Sequence, residues 1–115
     1  MAARNSSRLN NFSKDITVRT NKIIKTIDLD ILDYPSHQGF YDNLDEKPLG
    51  VICAVGYLGE QSTSQTSFDE AHQIIETNFT GVVSLLNMIT NDFEKRKSDF
   101  IVGIIHCNFR TLIFI

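Results

Sequence analysis

Leu49-Gly-Val-Ile-Cys-Ala-Val-Gly-Tyr-Leu-Gly59 is the stretch that most restricts what this chain can become. Val51, Ile52, Cys53, Ala54 and Val55 show no alternation of polar and apolar residues. Both faces of the strand they form are therefore expected to be covered, as in a parallel sheet with helices on each side. Gly56 and Gly59 then let the backbone turn and approach a neighbour or ligand with no Cβ in the way. Ligands of open α/β sheets bind at the carboxyl ends of the strands, so a site is expected around residues 54 to 59.

The 115 residues suffice for one domain, and a net charge of −3 argues against nucleic acid as a partner. The charge is unevenly placed. Residues 1 to 27 carry +5, from Arg4, Arg8, Lys14, Arg19, Lys22 and Lys25 against Asp15, while the remainder carries −8. A solvated surface segment is the simplest reading of that basic start. No apolar run reaches the ~20 residues of a membrane span, and Phe100 to Ile115 is interrupted by His106, Asn108 and Arg110. Cys53 and Cys107 have no CxxC partner and lie in apolar surroundings, which predicts reduced, buried thiols and a cytoplasmic setting. His37, His72 and His106 are scattered without ligand spacing, so no metal site is expected.

Along the chain, a polar segment with a short helix from Ser6 or Ser7 precedes an apolar-rich strand from Lys22 to Leu29. Asp33-Tyr-Pro35-Ser36 has the chemistry of a helix start, and a short helix to about Leu44 is expected. The glycine-ended strand comes next. Ser67-Phe-Asp-Glu70 is a capping box that opens a long helix through Lys97. Ala71, Ile75, Phe79, Val82, Leu86, Ile89 and Phe93 recur at spacings of four and three and define its apolar face. Asn78, Thr80 and Gly81 are poor helix formers in its middle, which predicts a kink or a close contact there. Lys95, Arg96 and Lys97 oppose the negative end of the helix dipole. Phe100 to Ile105 reads as a further buried strand, completing the alternation of a doubly wound α/β sheet.

Three features recur at compatible intervals: the acidic strand end Leu29-Asp30-Ile31-Leu32-Asp33, the strand and loop Cys53-Ala54-Val55-Gly56, and Asn78-Phe79-Thr80-Gly81 inside a helix. Together they resemble the middle of a short-chain dehydrogenase/reductase, over residues 2 to 105. The resemblance implies a Rossmann sheet and an NAD(P)-dependent oxidoreductase ancestry. It places Asp30 at the adenine, with Ile31 as the neighbouring backbone contact. Ala54, Val55 and Gly56 would lie along the nicotinamide side, and Asn78 would be the helix Asn that supports the family's proton relay. Ala2-Ala3-Arg4-Asn5 resembles the end of the family's second strand, where a basic residue reads a 2′-phosphate. Arg4 thus favours NADP over NAD as the cofactor.

The sequence also departs from the family pattern. Cys53-Ala54-Val55 replaces the usual Asn-Asn-Ala before the glycine. No Thr-Gly-x-x-x-Gly-x-Gly segment is present, and Tyr34, Tyr41 and Tyr57 have no Lys four residues on. The family's catalytic Ser would fall near Ile105-His106-Cys107. The expectation is a partial, truncated Rossmann-like fold whose central first strand is missing, inactive on its own, with residues 106 to 115 an apolar tail that has no counterpart. A relic reading frame would produce such a chain. The alternative is a binding module, in which helix 67–97 pairs with a second copy or with a complete member of the family.

Overall fold

The computed structural model describes residues 1–97, 100–104 and 112–114. Strand β1 (Ala2–Ala3) leads through a 3-10 turn (Ser6–Leu9) into α1 (Asn10–Thr20) and β2 (Ile27–Asp28). Helix α2 (Ser36–Asp42) and β3 (Gly50–Ala54) follow, then the short α3 (Gln61–Ser64) and α4 (Phe68–Ile75). A π-helical turn (Glu76–Thr80) joins α4 to α5 (Gly81–Arg96), and β4 (Phe100–Gly103) and β5 (Leu112–Phe114) close the order.

The five strands form one sheet in the order β2-β1-β5-β3-β4. β1 pairs with β2 in parallel, Ala2 opposite Ile27, and β3 pairs with β4 in parallel, Gly50 opposite Phe100. These two parallel pairs are the expected flanks of a doubly wound sheet. The position between them is filled by β5, antiparallel to both neighbours: Ile113 lies opposite Ala2 and Cys53, and Leu112 opposite Ala54. The tail for which the sequence offered no counterpart thus supplies the strand that joins the halves, and the sheet is mixed.

The strand expected from Lys22 to Leu29 is shorter than its apolar content suggests. Its regular pairing is limited by the two residues of β1, with Ile27 N–H donating to Met1 O and Leu29 N–H to Ala3 O, at 3.0 Å each. Ile23 stays exposed. The two faces of β3 are also unequally covered: Val51 and Cys53 are buried, whereas Ile52 and Ala54 are only half-buried. Val51 and Cys53 belong to the core, where Leu29, Ile31 and Tyr41 meet Leu85, Ile89 and Phe93 of α5. Burial pushes the Cys53 thiol above its ordinary value. Cys107 lies outside the described residues.

The long helix starts as its capping box predicts on one side only. Ser67 Oγ accepts the Glu70 N–H at 3.4 Å, while the Glu70 carboxylate turns away to the loop before it. The irregularity expected near Asn78 is the π turn. Its extra residue shifts the apolar phase, so that Leu85 rather than Val82 or Leu86 is fully buried, and Ile75 and Phe79 face outward. Gly81 marks the close contact: a Cβ there would lie 2.5 Å from Ile31 O. Arg96 does more than oppose the helix dipole, since it pairs with Asp92 at 2.9 Å and donates to Pro48 O at 2.7 Å.

Candidate functional site

The carboxyl ends of β1, β2 and β3 converge on a cleft of about 630 Å³. Arg4, Asp30, Ile31 and Gly56 all line it, so four of the positions singled out in the sequence are brought together. Ala54 and Val55 are not among its lining residues. Ala54 is committed to the sheet opposite Leu112, and Val55 packs against the core. Asn78 reaches the cleft indirectly, through Tyr57.

Each wall has a local cause. Asp30 lies two residues past the end of β2, and its Oδ1 accepts the Leu32 N–H at 3.1 Å, a turn that fixes the carboxylate at the rim. Its carbonyl is held from below by His37, which is buried. Nε2 of His37 lies 3.3 Å from Asp30 O and Nδ1 lies 3.0 Å from Ser84 Oγ. A carbonyl can only accept, so this pairing assigns the proton to Nε2 and leaves Nδ1 to accept from the Ser84 hydroxyl. The Asp30 backbone is thereby tied to α5. Ile31 is pinned by the contact with Gly81.

The opposite wall is the loop after β3. Asn78 Oδ1 accepts the Tyr57 N–H at 2.6 Å and its Nδ2 donates to Tyr57 O at 2.7 Å. Tyr57 OH donates to Glu70 Oε1 at 2.8 Å, and that oxygen also accepts the Glu60 N–H at 3.3 Å. Gly59 is required here, with φ of 66° and no room for a Cβ beside Glu70. The Glu70 carboxylate, chiefly, holds the Tyr57 hydroxyl above its usual range, and Arg4 pulls the other way, which places Arg4 within electrostatic reach of that ring.

Arg8 is the residue that sequence reading missed. It follows Arg4 by four, at the 3-10 turn, and lines the same cleft with Leu9 and Phe12. Its signal was the +5 charge of the first segment, read there as solvated surface. Among the described residues neither Arg4 nor Arg8 forms an ion pair. The cleft therefore combines two uncompensated cations, a fixed carboxylate and apolar walls. Among the described residues no group of His, Cys, Asp and Glu could hold a metal ion, and no helix is long and apolar enough to cross a membrane.

No family model and no curated protein sequence matches the chain. Solved structures do. Serine dehydrogenase from Escherichia coli shares 14% identity at a TM-score of 0.69, over 89% of this chain and 47% of that one. A 3-ketoacyl-ACP reductase from Sinorhizobium meliloti 1021 shares 15% at 0.69, over 89% and 41%. The alcohol dehydrogenase from the archaeon Thermococcus sibiricus, complexed with 5-hydroxy-NADP, shares 19% at 0.64, over 88% and 44%. Such neighbours are Rossmann-fold short-chain dehydrogenases/reductases. The chain spans less than half the length of the structures it matches, and over that span it has their Rossmann fold.

Proposed function

We propose that this chain is a Rossmann-type nucleotide-binding protein whose cleft receives the adenosine end of NADP(H), an oxidoreductase by descent without dehydrogenase activity of its own. The observation that carries the reading is the pair Arg4 and Arg8, two guanidiniums on one cleft with no carboxylate partner among the described residues. A guanidinium fork matches a phosphate, and the 2′-phosphate is what distinguishes NADP from NAD. Asp30, which lines the cleft, accepts from the adenine amine in this reading, and Ile31, Leu9 and Phe12 give it apolar flanks. One structural neighbour holds 5-hydroxy-NADP. When bound, such a cofactor supplies hydride chemistry; this chain supplies charge and shape to hold one end of it. No tyrosine of these 115 residues has a lysine four residues on to lower its pKa, so these residues do not by themselves supply the acid of the family's proton relay. Ile105-His106-Cys107 lies outside the described residues.

A thermal melt with and without millimolar NADPH tests the reading. Stabilisation grows as RT ln(1 + [L]/Kd), so a ligand at ~100 times its Kd adds about 2.7 kcal/mol and raises the transition visibly. An unchanged transition at that concentration overturns the proposal, and turnover of NADPH with carbonyl substrates overturns its second half.

A second reading is favoured by one further surface. Phe68 and Ile75 of α4, Phe79 of the π turn and Val83 of α5 are each at least half exposed. Under this reading the helix pair docks on a second copy or on a complete relative. Sedimentation of the wild type beside Phe79→Glu tests it: a dimer lost in the variant supports the surface, and a monomeric wild type removes it.

A further inference from the structure

The charge of the chain is divided between two regions. Residues 1 to 27 carry six cations against Asp15 alone, a balance of +5, and the remainder carries −8. Asp15 is taken by Arg19 at 3.0 Å, and Lys25 reaches across to Asp45. Lys14 and Lys22 have no carboxylate partner among the described residues. Both are exposed: Lys14 stands on α1, and Lys22 follows the left-handed cap at Asn21 that ends it. Apolar side chains are exposed among them, Val18 at 84% and Ile23 at 88%. Lys14 and Val18 are four residues apart and so share one face of the helix. No residue of α1 is fully buried, so this helix keeps a broad outer face.

We infer that α1 and the turn after it dock on an anionic lipid surface, with Lys14, Arg19 and Lys22 among the headgroups and Val18 and Ile23 seated at the acyl boundary. The contact is peripheral, since no helix among the described residues is long and apolar enough to cross a membrane. Charge complementarity selects the partner: a chain of net charge −3 is repelled by an anionic surface unless its cations are gathered in one region, as they are here. The Arg19–Asp15 pair is exposed on both sides, so Arg19 exchanges its carboxylate for a headgroup phosphate with little loss. Val18 and Ile23 separate lipid from other polyanions. A nucleic-acid backbone offers them no apolar contact, whereas a bilayer interface receives them while the lysine stems keep their ammonium groups among the phosphates. The −8 remainder also opposes any polyanion that wraps the protein, and a planar surface touches one side only. None of these five residues lines the cleft, so the inference stands apart from the nucleotide reading.

Flotation of the full chain with vesicles of phosphatidylserine mixed into phosphatidylcholine, beside vesicles of phosphatidylcholine alone, tests the inference. The chain is expected to float with the anionic vesicles, to stay behind with the neutral ones, and to be released as salt rises. Each lysine near an anionic surface is worth roughly fivefold in partition, so Lys14→Gln with Lys22→Gln is expected to bind about twentyfold more weakly. Val18→Ser with Ile23→Ser leaves the charge unchanged and is expected to weaken vesicle binding by about tenfold or more. A wild type that does not float with anionic vesicles, or that floats equally with neutral ones, overturns the inference without any variant. A serine variant that partitions like the wild type, or a wild type that binds duplex DNA more tightly than the anionic vesicles at the same salt, overturns the lipid assignment.

Discussion

Asn78 grips the backbone of Tyr57 from both sides, taking its N–H at 2.6 Å and giving a hydrogen bond to its carbonyl at 2.7 Å. One side chain on the π turn thereby fixes the loop that forms a wall of the cleft. Asn78→Ala removes both bonds at a partly solvated site and is expected to cost about 1–2 kcal/mol. Asn78→Asp keeps the acceptor and loses the donor, so it should cost less. Both are read from chemical denaturation, and both should also weaken nucleotide binding, since Tyr57 is no longer held.

Gly81→Ala sets two effects against each other. Alanine gains about 1 kcal/mol of helix propensity over glycine. The new Cβ, however, would sit 2.5 Å from Ile31 O and 2.8 Å from Ile31 Cγ1, inside contact distance of a backbone atom that cannot move freely. Overpacking of this kind costs about 1–3 kcal/mol, so the net change should be destabilising. A melt higher than wild type would show that α5 can step away from Ile31.

Tyr41 couples stability to alkaline pH. Burial, then the hydrogen bond to Asp92 at 2.6 Å, pushes its hydroxyl from 10.0 up to about 12. The unfolded chain loses this proton near its ordinary value while the folded chain keeps it. The contribution is therefore complete below pH 10 and is lost as pH rises towards about 12. Tyr41→Phe should be less stable than wild type at neutral pH by about 1 kcal/mol and should fall less steeply above pH 10. Denaturant midpoints across that range measure both.

The pairing of Ile113 with both Ala2 and Cys53 makes β5 the link between two parallel strand pairs. Proline lacks the N–H of a ladder and does not sit in a central strand. Ile113→Pro is expected to lower the melting temperature sharply and to increase hydrogen exchange at Ala2 and Cys53 together. Unchanged protection at both residues would mean that the halves hold without β5.

Much of this architecture was legible because its signals are local. The apolar run before Gly56, the capping serine at Ser67 and the weak helix formers at Asn78 to Gly81 each specify their own structure. Other features depend on distant partners. Leu112-Ile113-Phe114 reads as an apolar tail until β1 and β3 are seen to leave a gap between them. The outward turn of Phe79 follows from the single extra residue of the π turn, which no spacing count along a regular helix anticipates. At the cleft, Arg4 and Asp30 were legible from the ends of their strands. Arg8 was not, since only the turn at Ser6–Leu9 brings it round beside Arg4. His37 likewise gives no sign in the sequence that it holds the Asp30 carbonyl.

The central claim is that two guanidiniums select a 2′-phosphate, and the ratio of NADP+ to NAD+ affinity in the full chain tests it most directly. NADP+ is expected to bind tighter by about tenfold or more, with the preference shrinking as salt rises because exposed charges are screened. Equal affinities, or a preference for NAD+, would contradict it.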